Sequence, residues 1–204
     1  NTGCLNLLNN GQASPNEILP ALEKIGLQAQ RAGKIIRRVH DFVRKSEPKR
    51  APCQLGEVVE DCLGFIEAEA RKRHIVVACD IPTLQPILAD RLMLEQVLLN
   101  LIRNAMEAMA DTPEAHRLLQ IGITANHTEL LVKVADCGSG IAPEVREKLF
   151  TAFFTTKPEG MGIGLSICRS IIEFHRGRLW ADDNTQSPTG RGTIFNFTLP
   201  LEAE

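Results

Sequence analysis

The sequence carries no excess of charge of either sign, no C-x-x-C pair and no apolar run long enough to span a bilayer. Its 23 Lys and Arg stand against 25 Asp and Glu, a net charge of -2, so no strong electrostatic field points to nucleic acid or to an anionic membrane surface. Apolar stretches such as residues 163–172 are interrupted by polar side chains and fall short of the roughly 20 residues a bilayer requires, so direct membrane contact by this segment is not expected. No basic segment followed by an apolar one opens the chain, which argues against a signal peptide. The six cysteines (Cys4, Cys53, Cys62, Cys79, Cys137, Cys168) form no metal-like grouping with histidine. That usage predicts reduced thiols in a cytoplasmic setting, whether the parent protein is soluble or membrane-anchored, and not a disulfide or zinc framework. Internal repeats and low-complexity tracts are also missing. The 204 residues, 44% hydrophobic, suffice for one large domain, or a domain with a smaller appendage.

A break falls at Ser46-Glu47-Pro48-Lys49-Arg50-Ala51-Pro52, where two prolines among charges cannot continue a helix. It predicts an N-terminal unit over residues 1–47, a linker over 48–53 and a larger domain over 54–204. In the first unit Ser14, Pro15 and Glu17 form the start signal of a helix: N-cap, proline at the first position, capping box. Ile18, Leu22, Ile25, Ala29, Ala32, Ile36, Val39 and Val43 then recur at spacings of four and three, a heptad seam. Such a stripe needs partner helices. Leu5, Leu7 and Leu8 read as the tail of a preceding helix, giving a helical hairpin that two copies would pair into a four-helix bundle. A homodimer is therefore expected, the alternative being a monomer whose arm packs on its own body.

Beyond Pro52 helical and strand patterns alternate: helix 58–73, strand 75–79, helix 91–110, strands 119–125 and 130–135 across a turn at Asn126-His127, helix 164–174, and strands 178–181 and 193–199. Hairpin-connected strands interspersed with helices predict an α+β fold, a mixed sheet with helices on one face.

Four clusters carry chemistry. Asn100 and Asn104 stack on one face of the helix 91–110, opposite Val97, Leu98, Leu101 and Ile102. Asparagine is a mediocre helix former, so the pair is either a source of hard oxygen for Mg2+ or two exposed or capping side chains. Asp136-Cys137-Gly138-Ser139-Gly140-Ile141 follows a strand. It reads either as an acceptor for an exocyclic amine beside a flat ligand or as a tight turn. Gly160-Met161-Gly162-Ile163-Gly164-Leu165 opens a helix, whose N–H groups suit phosphate. A dinucleotide fingerprint is excluded there, because the spacing is G-x-G-x-G after a polar loop, and no Gly-Lys-Ser/Thr of a P-loop follows. Lys157 beside it is either a phosphate contact or a plain solvated lysine. Phe150-Thr151-Ala152-Phe153-Phe154 reads as the anchor of a mobile segment or as core packing.

Asn pair, Asp-x-Gly-x-Gly, Phe-rich box and Gly-x-Gly-x-Gly in this order resemble the catalytic ATP-binding domain of bacterial two-component sensor histidine kinases. DNA gyrase B, Hsp90 and MutL share its Bergerat fold, a two-layer α/β sandwich. The similarity covers residues 54–200, and the arm resembles part of the kinases' dimerisation and histidine-phosphotransfer domain. The resemblance implies ATP and Mg2+: Asn104 as the metal ligand, Asn100 near the phosphates, Asp136 accepting from the adenine amine, and Gly138, Gly140 and Ile141 shaping the base pocket. Gly160, Gly162, Gly164 and Leu165 would line the triphosphate side, with Lys157 near it, and Thr193 would support the adenine region. The segment between Phe154 and Gly162 is short, similar to nitrogen- and oxygen-sensing kinases, and is expected to order around nucleotide. Position 100 is glutamate, the general base for water, in the ATPase relatives; Asn100 has no such basicity, which leaves the γ-phosphate to a histidine and makes Asn100 and Asn104 the catalytic pair.

The family's phospho-accepting histidine is followed by an acidic residue and then by proline at the fifth position. Of His40, His74, His116, His127 and His175, none has that proline; His40 is followed by Asp41 but has Lys45 at the fifth position. The acceptor is thus expected on a preceding helix outside this sequence, with His40 a poor substitute. The implied partner is a response regulator receiver domain, with no nucleic acid. The other functional class is a degenerate module that binds nucleotide and docks a receiver without catalysis; the intact boxes favour the kinase.

Overall fold

The computed structural model describes residues 49–157 and 160–201. The chain divides between Glu47 and Pro48. The helical hairpin, its four-helix bundle and His40 lie outside the described residues.

In the larger unit, strand β1 (Ala51–Cys53) leads into helix α1 (Leu55–Lys72), strands β2 (Val76–Asp80) and β3 (Ile87–Ala89), and helix α2 (Arg91–Ala108). Strands β4 (Leu118–Ala125) and β5 (Glu129–Ala135), a short helix α3 (Pro143–Arg146), helix α4 (Gly164–Phe174) and strands β6 (Leu179–Asp183) and β7 (Thr193–Pro200) follow. The five-stranded sheet has the order β2-β4-β5-β7-β6; β2 runs parallel to β4 and the other pairs are antiparallel. It is the mixed sheet the hairpin-and-helix pattern predicts.

Register explains the core. Ile121 pairs with Val134 and Ile123 with Val132, while Val132 and Val134 pair in turn with Phe197 and Phe195. Because side chains alternate along a strand, this alignment puts all six on one buried face. Helix α2 packs between α1 and α4 and over β4 and β5, burying Leu94, Val97, Leu98, Leu101, Ile102 and Ala105. Asn126 shapes the hairpin turn: its Oδ1 accepts the N–H groups of Thr128 and Glu129, both at 2.8 Å.

The expected linker 48–53 needs correction. Ala51–Cys53 form a strand paired antiparallel with Ile87–Ala89, a separate two-stranded sheet. Pro52 is tolerated because each strand of such a ribbon has one edge without a ladder partner.

One buried joint ties the start of α2 to the end of α4. Asp90 caps α2, its Oδ1 accepting the Met93 N–H at 3.1 Å while Oδ2 accepts the Lys49 N–H at 3.1 Å. The Asp90 N–H donates to His175 Nε2 at 3.0 Å, just past α4, and His175 Nδ1 lies 2.8 Å from the Ile171 carbonyl oxygen. His175 is therefore neutral, with its proton on Nδ1. No described helix is long and apolar enough to cross a membrane.

Candidate functional site

Asp136 stands where β5 leaves the sheet. The residue is 1% exposed, and its Oδ1 accepts the N–H groups of Gly138 at 2.8 Å and Thr193 at 3.2 Å. Burial pushes its pKa up to about 6, partly offset by those two N–H groups. Both donors converge on a single oxygen, so Oδ2 keeps its acceptor capacity for another N–H. The backbone behind it is clamped: the Asp136 N–H donates to the Thr193 carbonyl at 2.9 Å, and the Asn184 amide donates to the Asp136 carbonyl at 2.8 Å. A Cβ on Gly192 would come within 2.1 Å of that same carbonyl oxygen, so only glycine lets the two segments meet. Asn184 is buried and is absent from the residues picked out in the sequence. Its signal, one asparagine after two aspartates at a strand end, is indistinguishable from an ordinary turn.

Gly138 lies against the end of α2, where a Cβ would meet the Ala108 carbonyl oxygen at 2.5 Å. The glycine thus joins the Asp136 loop to the helix that carries both asparagines. Gly140 adopts a left-handed φ of 76°, so the turn reading and the pocket reading of this loop are compatible. Ile141 beside it is half-buried.

Asn100 and Asn104 are both half-buried on one face of α2, with Leu98 and Ile102 buried on the opposite face. Asn100 Nδ2 donates to Cys168 Sγ at 3.1 Å, and a Cβ on Gly164 would come 2.6 Å from Asn100 Oδ1. The last glycine of G-x-G-x-G therefore seats the mouth of α4 directly on the Asn100 carboxamide. Helix α4 starts at that glycine, and its N-cap residue Ile163 makes no side-chain cap bond, so the first-turn N–H groups have no side-chain acceptor there. Leu165 in the same turn is half-buried.

Lys157 is more than a solvated lysine. Its ammonium donates to Asn104 Oδ1 at 3.2 Å and pairs with the Glu107 carboxylate one turn further along α2. Gly160 closes a turn onto Lys157, its N–H donating to the Lys157 carbonyl at 3.1 Å, and Gly162 has a φ of 65° against the backbone of Phe153 and Phe154. Phe153 is 68% exposed at a φ of 67°, which rules out core packing for the middle of the Phe-rich box. Phe150 and Phe154 are half-buried. The expected ordering of segment 154–162 falls partly on residues 158 and 159, outside the described set.

The four clusters thus meet: the Asp136 loop with α2 through Gly138, Asn100 with α4 through Gly164, Asn104 with the glycine loop through Lys157, and the Phe-rich box with that loop through Gly162. Comparison with known proteins decides what this arrangement is. Residues 89–203 match the family of histidine kinase-, DNA gyrase B- and HSP90-like ATPases, more than half of the chain. The chain belongs to that family. Among curated relatives it is 42% identical to the C4-dicarboxylate transport sensor protein DctS of Rhodobacter capsulatus, over 99% of this chain and 30% of that protein. It is 41% identical to the sensor protein FixL of Bradyrhizobium diazoefficiens, over 95% of this chain and 38% of that protein. The chain therefore spans about a third of the length of these relatives. Among solved structures it resembles the catalytic domain of histidine kinase ThkA, with a TM-score of 0.66 at 33% identity, covering 75% of this chain and 96% of that one. A second ThkA structure, in complex with the response regulator protein TrrA, matches with a TM-score of 0.70 at 26% identity over 98% of this chain and 56% of that one.

Proposed function

We propose that this chain is the ATP-dependent core of a two-component sensor histidine kinase, which transfers the γ-phosphate of ATP to a histidine on a dimerisation helix for relay to a response regulator aspartate. The observation that carries the proposal is the buried Asp136, satisfied on one oxygen by two backbone N–H groups and left with acceptor capacity on the other. An ionised carboxylate is acceptor-only and suits the exocyclic amine of adenine.

The residues present fit the two implied groups. Asn104 offers a half-buried carbonyl oxygen that already accepts a bond from a cation, the Lys157 ammonium, and hard oxygen is the donor type that Mg2+ takes. Among the described residues no three His, Cys, Asp or Glu side chains could hold a metal together, so an ion held by Asn104 would need phosphate and water for its other oxygens. When bound, Mg2+ neutralises charge on the polyphosphate.

The chain's own residues do the positioning. Asp136 orients the purine, with Thr193 and Gly138 fixing its carboxylate and Gly140 and Ile141 completing that side. The first-turn N–H groups of α4, at Gly164 and Leu165, face the phosphates at the positive end of a helix, and Gly160, Gly162 and Lys157 complete the rim. Asn100 is held by Cys168 and Gly164, and its carboxamide has no basicity with which to activate water. The γ-phosphate then waits for an imidazole nucleophile presented in line, and positioning is the main source of rate. The proposed partners are a second copy of the chain, pairing through residues 1–47, and a receiver domain. The test is phosphotransfer from γ-labelled ATP to an added acceptor helix. Wild type labels the helix and Asn104→Ala fails to; equal labelling by both contradicts the proposal.

A further inference from the structure

We propose that Glu107 is a positioning residue that holds the Lys157 ammonium over the triphosphate side of the site, so that Glu107 acts on nucleotide through Lys157. This rests on the nucleotide-binding reading above. Asn104 and Glu107 are three residues apart on α2 and share a helical face. Lys157 comes from a distant loop and touches both, donating to Asn104 Oδ1 at 3.2 Å and pairing with the Glu107 carboxylate. A lysine side chain free in solvent samples many rotamers. Two acceptors on one rigid helix reduce that freedom and place the cation beside Asn104, the asparagine proposed to hold the metal.

The chemistry gives Glu107 a sign that changes with its partner. A lone carboxylate on this face repels a polyphosphate, whereas a carboxylate that fixes a cation there favours it. Removing the Glu107 charge therefore weakens ATP binding while Lys157 is present, and does nothing or strengthens it once Lys157 is gone. The pair is about half exposed, at 45% and 48%, so the effect is modest.

The experiment is a double-mutant cycle on the full 204-residue chain, with ATP affinity read by calorimetry. Glu107→Gln is expected to weaken ATP about two- to fivefold in wild type. In the Lys157→Met background the same substitution leaves affinity unchanged or tightens it. Repeating the cycle with EDTA in place of Mg2+ separates the route. Persistence of the sign difference supports action through Lys157, while its disappearance assigns Glu107 to the metal's water shell and overturns the proposal. Equal weakening in both backgrounds, or no effect in wild type, also overturns it. Absence of ATP binding by wild type would instead sink the nucleotide reading itself.

Discussion

Asp136 should be a liability for the nucleotide-free fold and a necessity for its ligand, and the two roles separate with pH. Burial raises its pKa from 3.8 to about 6. A carboxyl whose folded pKa lies above its unfolded value favours folding most when protonated, so its contribution is intact below about pH 4 and is lost as pH rises through 6. Each pH unit between the two values costs about 1.4 kcal/mol, so by pH 7 the ionised Asp136 destabilises the fold by about 3 kcal/mol. Asp136→Asn keeps an oxygen for Gly138 and Thr193 but carries no charge. It should therefore raise Tm at pH 7 by several degrees, on the order of 2–4 °C per kcal/mol for a unit of this size. At pH 4 the same substitution should change Tm little. The variant should also lose nucleotide, because its amide presents N–H toward the adenine amine where the carboxylate presented oxygen. Thermal melts of both proteins from pH 4 to 8, with and without Mg-ATP, read all three effects. A Tm difference that does not grow with pH would refute the burial argument. Retention of a wild-type Mg-ATP shift by Asp136→Asn would refute the recognition argument.

Gly164→Ala places a methyl 2.6 Å from Asn100 Oδ1. The carboxamide can swing aside, so Tm should move by no more than a few degrees while ATP affinity falls at least about tenfold; unchanged affinity would show that Asn100 is not a phosphate-side residue. Burial lowers the His175 pKa below the usual histidine value. Its stabilisation is thus present above about pH 6.5 and is lost as pH falls toward the folded value. Protonation puts a second donor against the Asp90 N–H, so His175→Gln should show a shallower acid-side loss of Tm than wild type, and identical acid limbs would contradict this.

Long periodic segments were legible in the sequence. The stripe from Leu94 to Met106 announced α2, and the alternation in residues 119–125 and 130–135 announced the central hairpin, because each exposes its period over many residues. The three-residue strands β1 and β3 were not legible. Neither is long enough to show alternation, Pro52 sits inside one of them, and their pairing joins positions 51–53 to 87–89, which no local pattern reveals. Helix α3 and the turn at Glu114–His116 are too short to show a period and were illegible for the same reason. Within the site, side chains with distinctive chemistry announced themselves: Asp136 before two glycines, and two asparagines four apart on an apolar helix. Their supports did not. Asn184, Cys168 and Glu107 act through contacts across 48, 68 and 50 residues of chain, and each is an unremarkable residue in its own neighbourhood. The glycines were legible as glycines but only partly by purpose. Gly138 and Gly164 admit neighbouring parts of the protein, the end of α2 and the Asn100 carboxamide, as well as facing the proposed ligand.

The most direct test of the central claim compares two nucleotides that differ at the atom Asp136 is proposed to read. ATP carries an exocyclic amine that can donate to Asp136, and inosine triphosphate carries a carbonyl oxygen there. Titration calorimetry at pH 7.5 with Mg2+ should give measurable heat with ATP and at least about tenfold weaker binding of inosine triphosphate, consistent with losing a hydrogen bond to a charged acceptor. Equal affinities for the two, or no heat with either, would contradict the account.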